Sequence, residues 1–260
     1  MLTTLANYRL VSNNIERSLT STAAQPQVAR ETEYYLANIG NVKSIDDFLA
    51  DDRLFTYAMQ AWGLGDMSYA KAFMRKVLTE GVDSNDAFAN TLADSRYKEF
   101  AKAFNFKLYG EATTNWQSAR QGTVDRYVRQ KVEEDAGSQN EGVRLALYFE
   151  RKASSITSAY SILADQALLK VAQTALGLPA TMSLLDIDRQ AELIADRIDL
   201  EDFQDTTKVQ AFLTHFAATW EIENSTATQL APSLLLVQPI EASVSSELLS
   251  NLQNLKLGGA

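Results

Sequence analysis

Three aspartates stand in nearly the same phrase. Asp51 lies in FLADDRLFTYAMQAWGL (Phe48–Leu64), Asp94 in TLADSRYKEFAKAFNF (Thr91–Phe106) and Asp165 in ILADQALLKVAQTALGL (Ile162–Leu178). A carboxylate at a repeated position can move a proton, ligate a metal or cap a helix. Proton transfer needs a partner, and the chain has a single histidine, His215, within the apolar run TKVQAFLTHFAATW. There it would need a carboxylate or nucleophile in reach to act as a base. Calcium would want a tight loop with a glycine at its sharp turn. The acidic clusters Asp46-Asp47 with Asp51-Asp52, Glu133-Glu134-Asp135, and DIDRQAELIADRIDLED from Asp186 to Asp202 have none. With no cysteine, thiolate zinc sites and cysteine nucleophiles are excluded, and disulfides with them. No Gly-x-Ser-x-Gly, Gly-x-Gly-x-x-Gly or Gly-x-x-x-x-Gly-Lys-Ser/Thr occurs, so triads and phosphate-cradling loops have no support. Capping asks only for an Asp before a helical run. On these grounds we assign no catalytic, cofactor-binding or metal residue and expect Asp51, Asp94 and Asp165 to cap helices starting near Asp52-Arg53, Ser95-Arg96 and Gln166-Ala167.

The elements that must position these residues read as helices. All four prolines, Pro26, Pro179, Pro232 and Pro239, lie outside Gln27 to Leu178, and an interior proline costs a helix about 3 kcal/mol. Apolar side chains recur at helical spacing in Tyr57, Ala58, Ala61, Trp62, again in Tyr97, Phe100, Ala101, Phe104, and in Val209, Phe212, Leu213, Phe216, Trp220. Ser44 or Asp46 can cap the turn before Phe48, Asp66 or Ser68 the run Tyr69 to Thr79, and Asp83, Ser84 or Asn85 the run after Ala87. Gly63, Gly81 and Gly177 follow apolar runs as C-terminal glycines do. DAGSQNEG, Asp135 to Gly142, reads as a polar loop or a weak place between helices.

The repeat carries further than its motif. With Leu49 on Leu163, an offset of 114 residues, eight of sixteen positions to Leu64 and Leu178 are identical, and Tyr34-Tyr35 fall on Tyr148-Phe149. Phe100 and Phe104 fall on Phe212 and Phe216 at 112. The middle copy follows the first by 43 residues, so a regular solenoid does not fit. The expectation is an all-α protein: a flexible or partly helical segment at 1–27, a helical unit at 28–110, a related unit at 111–220, the two forming one elongated or bilobal domain. An extended linker, Pro232 to Ile240, and an amphipathic helix, Val244 to Leu257, complete 221–260.

Charge narrows the partners. With 24 basic and 33 acidic residues the net charge is −9, which opposes non-specific attraction to nucleic acid or anionic lipid. No run of about 18 apolar residues offers a membrane span, and the start lacks the basic end and apolar core of a secretory signal peptide. Arg53, Arg75, Lys76, Arg96, Lys98, Lys102 and Lys107 make the first half locally basic, on helices that carry acids too.

FLADDRLFTYAMQAWGL, FANTLADSRYKEFAKAFNF and the Gly177-Leu178-Pro179 stop also resemble, over residues 30 to 220, a bacterial family defined as a domain of unknown function, several of whose members are encoded in flagellar gene clusters. The resemblance implies an all-α fold and an association with flagellar assembly or motility, and carries no catalytic residue. The function expected is a non-catalytic structural or interaction protein with a protein partner, a flagellar component or export chaperone, in the cytoplasm or exported through a flagellar-type apparatus. Two alternatives predict different sites: a small-molecule-binding module would converge charges such as Arg53 and Arg96 between its halves, and an enzyme would bring His215 and a carboxylate into one cleft.

Overall fold

The computed structural model describes residues 3–224. All of the regular structure among them is helical. α1 (Thr4–Ser12) and α2 (Ile15–Ala23) lead into α3 (Pro26–Ile39), α4 (Ile45–Ala50) and α5 (Asp52–Ala61). α6 (Lys71–Glu80), α7 (Phe88–Thr91), α8 (Ser95–Ala103) and α9 (Phe106–Tyr109) close the first half. Two long antiparallel neighbours follow, α10 (Gln121–Gln139) and α11 (Glu141–Lys152), and then α12 (Ala159–Leu163), α13 (Gln166–Leu176), α14 (Ile187–Ala195) and α15 (Thr206–Asn224).

The apolar faces gather into two cores. The first joins Tyr35, Phe48, Phe55, Met59, Met74, Phe100 and Phe104 from α3 to α8 and its following turn. The second joins Phe149, Ile162, Val171, Ile194, Leu213 and Phe216 from α11 to α15, with Tyr8 of α1. α10, about 28 Å long at 1.5 Å per residue, serves both: Val124, Tyr127 and Val128 enter the first core, and Ala136 packs on the second. Met1–Glu221 form one compact unit. The remainder, Ile222–Ala260, is a separate unit whose greater part lies outside the described residues, as do the extended segment Pro232 to Ile240 and the helix Val244 to Leu257 expected there.

Local contacts recur between the halves at the offset of 114. Ser44 and Ser158 cap α4 and α12, each accepting from the amide three residues on. Phe48 and Ile162 are fully buried in the two cores. Ala58 and Ala172 are fully buried too, where small side chains let helices approach closely. Gly63 and Gly177 both have positive φ, +72° and +60°, a backbone region that disfavours any side chain with a Cβ.

Two readings that the sequence left open are narrowed, to helices within 1–27 and to a break between helices at Asn140. Residues 1–27 do not form a flexible start over their described part. Polar composition made the segment look unanchored, but Tyr8 is buried in the second core, and the Thr4 amide and hydroxyl both donate to the Glu221 carboxylate, 217 residues away. Asn140 Nδ2 donates to Thr4 Oγ1 at 2.9 Å, tying the same point to the break between α10 and α11. Asp135 to Gly142 is likewise no loop: α10 runs through it to Gln139, and Asn140 alone breaks the chain before capping α11 by accepting from Gly142 N. The glycines there serve close packing. A Cβ at Gly142 would lie 2.5 Å from the Trp220 ring, and one at Gly137 would lie 2.8 Å from Arg144.

The Thr4 hydrogen bonds hold the Glu221 carboxyl below its ordinary value. A depressed carboxylate stabilises the fold at pH values above its unfolded pKa, and that contribution disappears as pH falls through the folded one. Glu221→Gln therefore lowers the melting temperature at neutral pH, and the gap to the parent closes on acidification through the carboxylate range. A pH series of paired thermal melts checks this; a gap that persists at acid pH contradicts it.

Candidate functional site

Each motif aspartate caps its helix. Asp51 Oδ1 accepts from Leu54 N at 2.9 Å, Asp94 Oδ1 from Arg96 N at 2.9 Å, and Asp165 Oδ1 from Ala167 N at 2.9 Å. The helices begin at Asp52, Ser95 and Gln166. The second carboxylate oxygens are engaged as well. Tyr34 donates to Asp51 Oδ2 at 2.8 Å and Tyr148 donates to Asp165 Oδ2, so a tyrosine seventeen residues upstream locks each cap. Burial and the Asp165 carboxylate push the Tyr148 hydroxyl well above the usual tyrosine range, so it remains a donor. Asp94 instead holds the Arg96 guanidinium through both oxygens, and Arg96 also donates to Gly63 O at 2.6 Å. Replacing Asp165 by Ala is expected to cost about 0.5–2 kcal/mol, the range for a lost cap, while Asp165→Asn, which still caps, retains most of the stability in urea denaturation. A group serving chemistry rather than structure would show no such preference for Asn.

His215 is not in a core or at its edge. It lies exposed on the outer face of α15, with Nδ1 3.3 Å from Thr219 Oγ1 on the same helix, so the simplest pairing with a carboxylate in a cleft is not made. Arg53 is held by Glu31 at 2.8 Å and lies 4.0 Å over the Tyr34 ring. It and Arg96 are thus fixed in separate clamps rather than converging. Arg75 pairs with Asp46, Lys76 with Glu80, and Lys107 donates to Glu80 O, while Lys98 and Lys102 face solvent. Asp66 and Ser68 cap nothing: a 3-10 turn, Gly65–Met67, occupies that stretch and α6 starts at Lys71 without a side-chain cap. Among the described residues no group of three His, Asp or Glu could hold a metal, and no helix is long and apolar enough to cross a membrane.

Two surface features do stand out. The first is a basin of about 380 Å³ beside the α10–α11 seam, lined by Glu99, Asp125, Arg126, Arg129, Arg151 and Lys152. Glu133, only 1% exposed, lies beneath it and accepts from Arg151 Nε at 2.7 Å, Arg151 Nη2 at 2.8 Å and Arg129 Nε at 3.2 Å. Glu99 takes Lys152 Nζ on both oxygens, at 2.9 and 3.1 Å. Arg126 lies over the Trp62 ring at 4.0 Å.

The second feature is an apolar ledge on the second half. Leu184 is 84% exposed and Ile187 57%, with Leu185 and Tyr160 beside them in the exposed set. Tyr160 reaches across from α12, donating to Asp188 Oδ1 at 2.7 Å. Asp186 and Asp188 lend the ledge negative charge, while Glu192 is paired with Arg189 at 2.7 Å.

Residues 61–209 match the family described as a protein of unknown function, DUF1217. The chain belongs to the DUF1217 family. The matched span of this DUF1217 protein takes in α6 to α14, and with them the basin's seam and the ledge. An X-ray crystal structure of a protein from Agrobacterium tumefaciens, solved in a structural genomics programme, is similar to it with a TM-score of 0.80 at 49% identity, covering 86% of this chain and 97% of that one. No curated protein matches the chain.

Neither surface feature was singled out from the sequence. The basin joins side chains 53 residues apart in the pair Glu99 and Lys152, and no local spacing signals that. The ledge had a visible signal, Leu184-Leu185 and Ile187 just after a firm helix stop, but apolar residues there read equally well as core.

Proposed function

We propose that this DUF1217 protein is a non-catalytic interaction protein that receives a partner protein on the ledge of Tyr160, Leu184, Leu185 and Ile187. The exposure of Leu184, Leu185 and Ile187 within four residues of chain carries the proposal, because exposed apolar surface rimmed by charge marks association sites on soluble domains. The rim chooses the partner's chemistry. Asp186 and Asp188 have no cationic partner among the described residues and complement lysines or arginines, so the fitting occupant is a protein segment with apolar side chains flanked by basic ones. A stable interface buries roughly 1,000 Å² or more, so the ledge forms its centre rather than its whole. The use of Asp51, Asp94 and Asp165 as caps supports the non-catalytic part, as does the exposed setting of His215 against Thr219 of its own helix.

An association with flagellar assembly or motility belongs to the same proposal and rests on the family resemblance. The partner would then be a flagellar component or an export chaperone, met in the cytoplasm or after export. The test is complementation of a deletion strain, scored for swimming and filament assembly, with wild type and with Leu184→Asp/Ile187→Asp. Restoration by wild type and not by the folded ledge variant supports both parts. Normal swimming without the gene removes the flagellar part. A ledge variant that still restores motility removes the docking part.

A further inference from the structure

The basin at the α10–α11 seam has more cations than its own carboxylates use. Arg126, Arg129, Arg151 and Lys152 face it, against Glu99, Asp125 and the underlying Glu133, an excess of one positive charge in a chain whose net charge is −9. The excess localises to Arg126. Arg129 and Arg151 share Glu133, and Lys152 takes both oxygens of Glu99. Asp125 accepts from Gln121 on its own helix. That leaves Arg126 with Glu99 at 3.9 Å, too far for a hydrogen bond, and no hydrogen bond to any described residue.

A guanidinium presents five donors in a fixed plane, a geometry that matches two oxygens of one oxyanion. Arg126 is also prepared to receive one. The Trp62 ring at 4.0 Å fixes its plane, and Trp62 is itself anchored by its Nε1–H to Thr123 Oγ1 at 3.3 Å. Partial burial disfavours its charged form, with Glu99 opposing and Arg151 adding to the shift, while 39% of the side chain stays open to an arriving anion.

We propose that the basin is an oxyanion site, taking a single carboxylate or phosphate group, with Arg126 as the residue that grips it and Lys152 and Arg129 supplying the surrounding field. The site is distinct from the apolar ledge and does not depend on it. The geometry favours a compact group with two oxygens in one plane over a halide, which offers no second acceptor.

The test is an arginine side-chain Nε–Hε NMR titration of the full chain with inorganic phosphate and, separately, with sodium acetate. The Arg126 signal is identified by its loss in Arg126→Met, whose apolar stem still covers Trp62. The expected result is that Arg126 shifts and saturates at about one tenth of the phosphate or acetate concentration that moves the exposed Arg17 and Arg189. The Trp62 indole signal should follow it in the parent and not in Arg126→Met. Arg126→Lys, which keeps the charge and loses the fork, should weaken the response. Saturation by phosphate alone or acetate alone assigns the source within the proposal. Movement of Arg126 only in step with Arg17 and Arg189, or a Trp62 response that survives in Arg126→Met, overturns it.

Discussion

Arg151→Ala is expected to lower the unfolding free energy by about 3–5 kcal/mol, the cost of removing one partner from a buried ion pair. The reason lies in Glu133. Its side chain is 1% exposed, and three of its described hydrogen bonds come from arginines, two of them from Arg151. Removing Arg151 leaves a carboxylate out of water with one remaining partner, Arg129, at 3.2 Å. The guanidinium also lies 5.0 Å from the Tyr148 ring centre, so the contact network around the Asp165 cap loosens with it. Glu133→Gln separates charge from shape. If the penalty comes from an uncompensated carboxylate, the double variant Arg151→Ala/Glu133→Gln recovers part of what Arg151→Ala loses, with a coupling of about 0.5–3 kcal/mol between the sites. Urea denaturation of the four proteins measures it, and additive losses would place the effect in packing instead.

How much of this was legible in sequence depended on range. The cap aspartates, the helix starts at Asp52, Ser95 and Gln166 and the positive-φ glycines Gly63, Gly81 and Gly177 were readable because each is decided within four residues of chain. The α1–α2 segment was left open between flexible and partly helical for the opposite reason. Its own residues are polar, and what orders it is Glu221, far along the chain. α10 was cut short because Gly137 and the polar run around it look like a loop; the glycine is there so that Arg144 can cross it. His215 sits in an apolar run whose Leu213 and Phe216 are buried, yet a helix turns 100° per residue and His215 faces out. The basin was invisible for a physical reason of its own: Glu99, Arg126 and Lys152 come from three different helices and meet only when two cores pack against one spine.

Phe48→Ala is expected to cost about 3–5 kcal/mol, the range for truncating a buried aromatic side chain. Phe48 opens the first Leu-Ala-Asp phrase and is fully buried among Phe55 at 5.6 Å, Phe100 at 6.3 Å, Phe104 at 4.8 Å and Phe106 at 6.0 Å between ring centres. These rings come from four segments, α4, α5, the end of α8 with its turn, and α9, so one deletion opens a cavity that no single neighbour can fill. The equivalent place in the second half holds Ile162, equally buried but with no ring of its own to stack on its neighbours. Ile162→Ala is therefore expected to cost less, toward the lower end of the 2–5 kcal/mol range for aliphatic truncations. Equal losses at the two positions would contradict the view that the ring cluster adds to simple burial, since aromatic pairs contribute about 0.5–1.5 kcal/mol beyond the area they remove from water. The comparison also tests how the cores are coupled. α10 contributes to both, so if they unfold together each variant shifts the whole transition, whereas cores that unfold separately would give Phe48→Ala a broadened or split melt with the Trp220 region, packed on the second core, still intact.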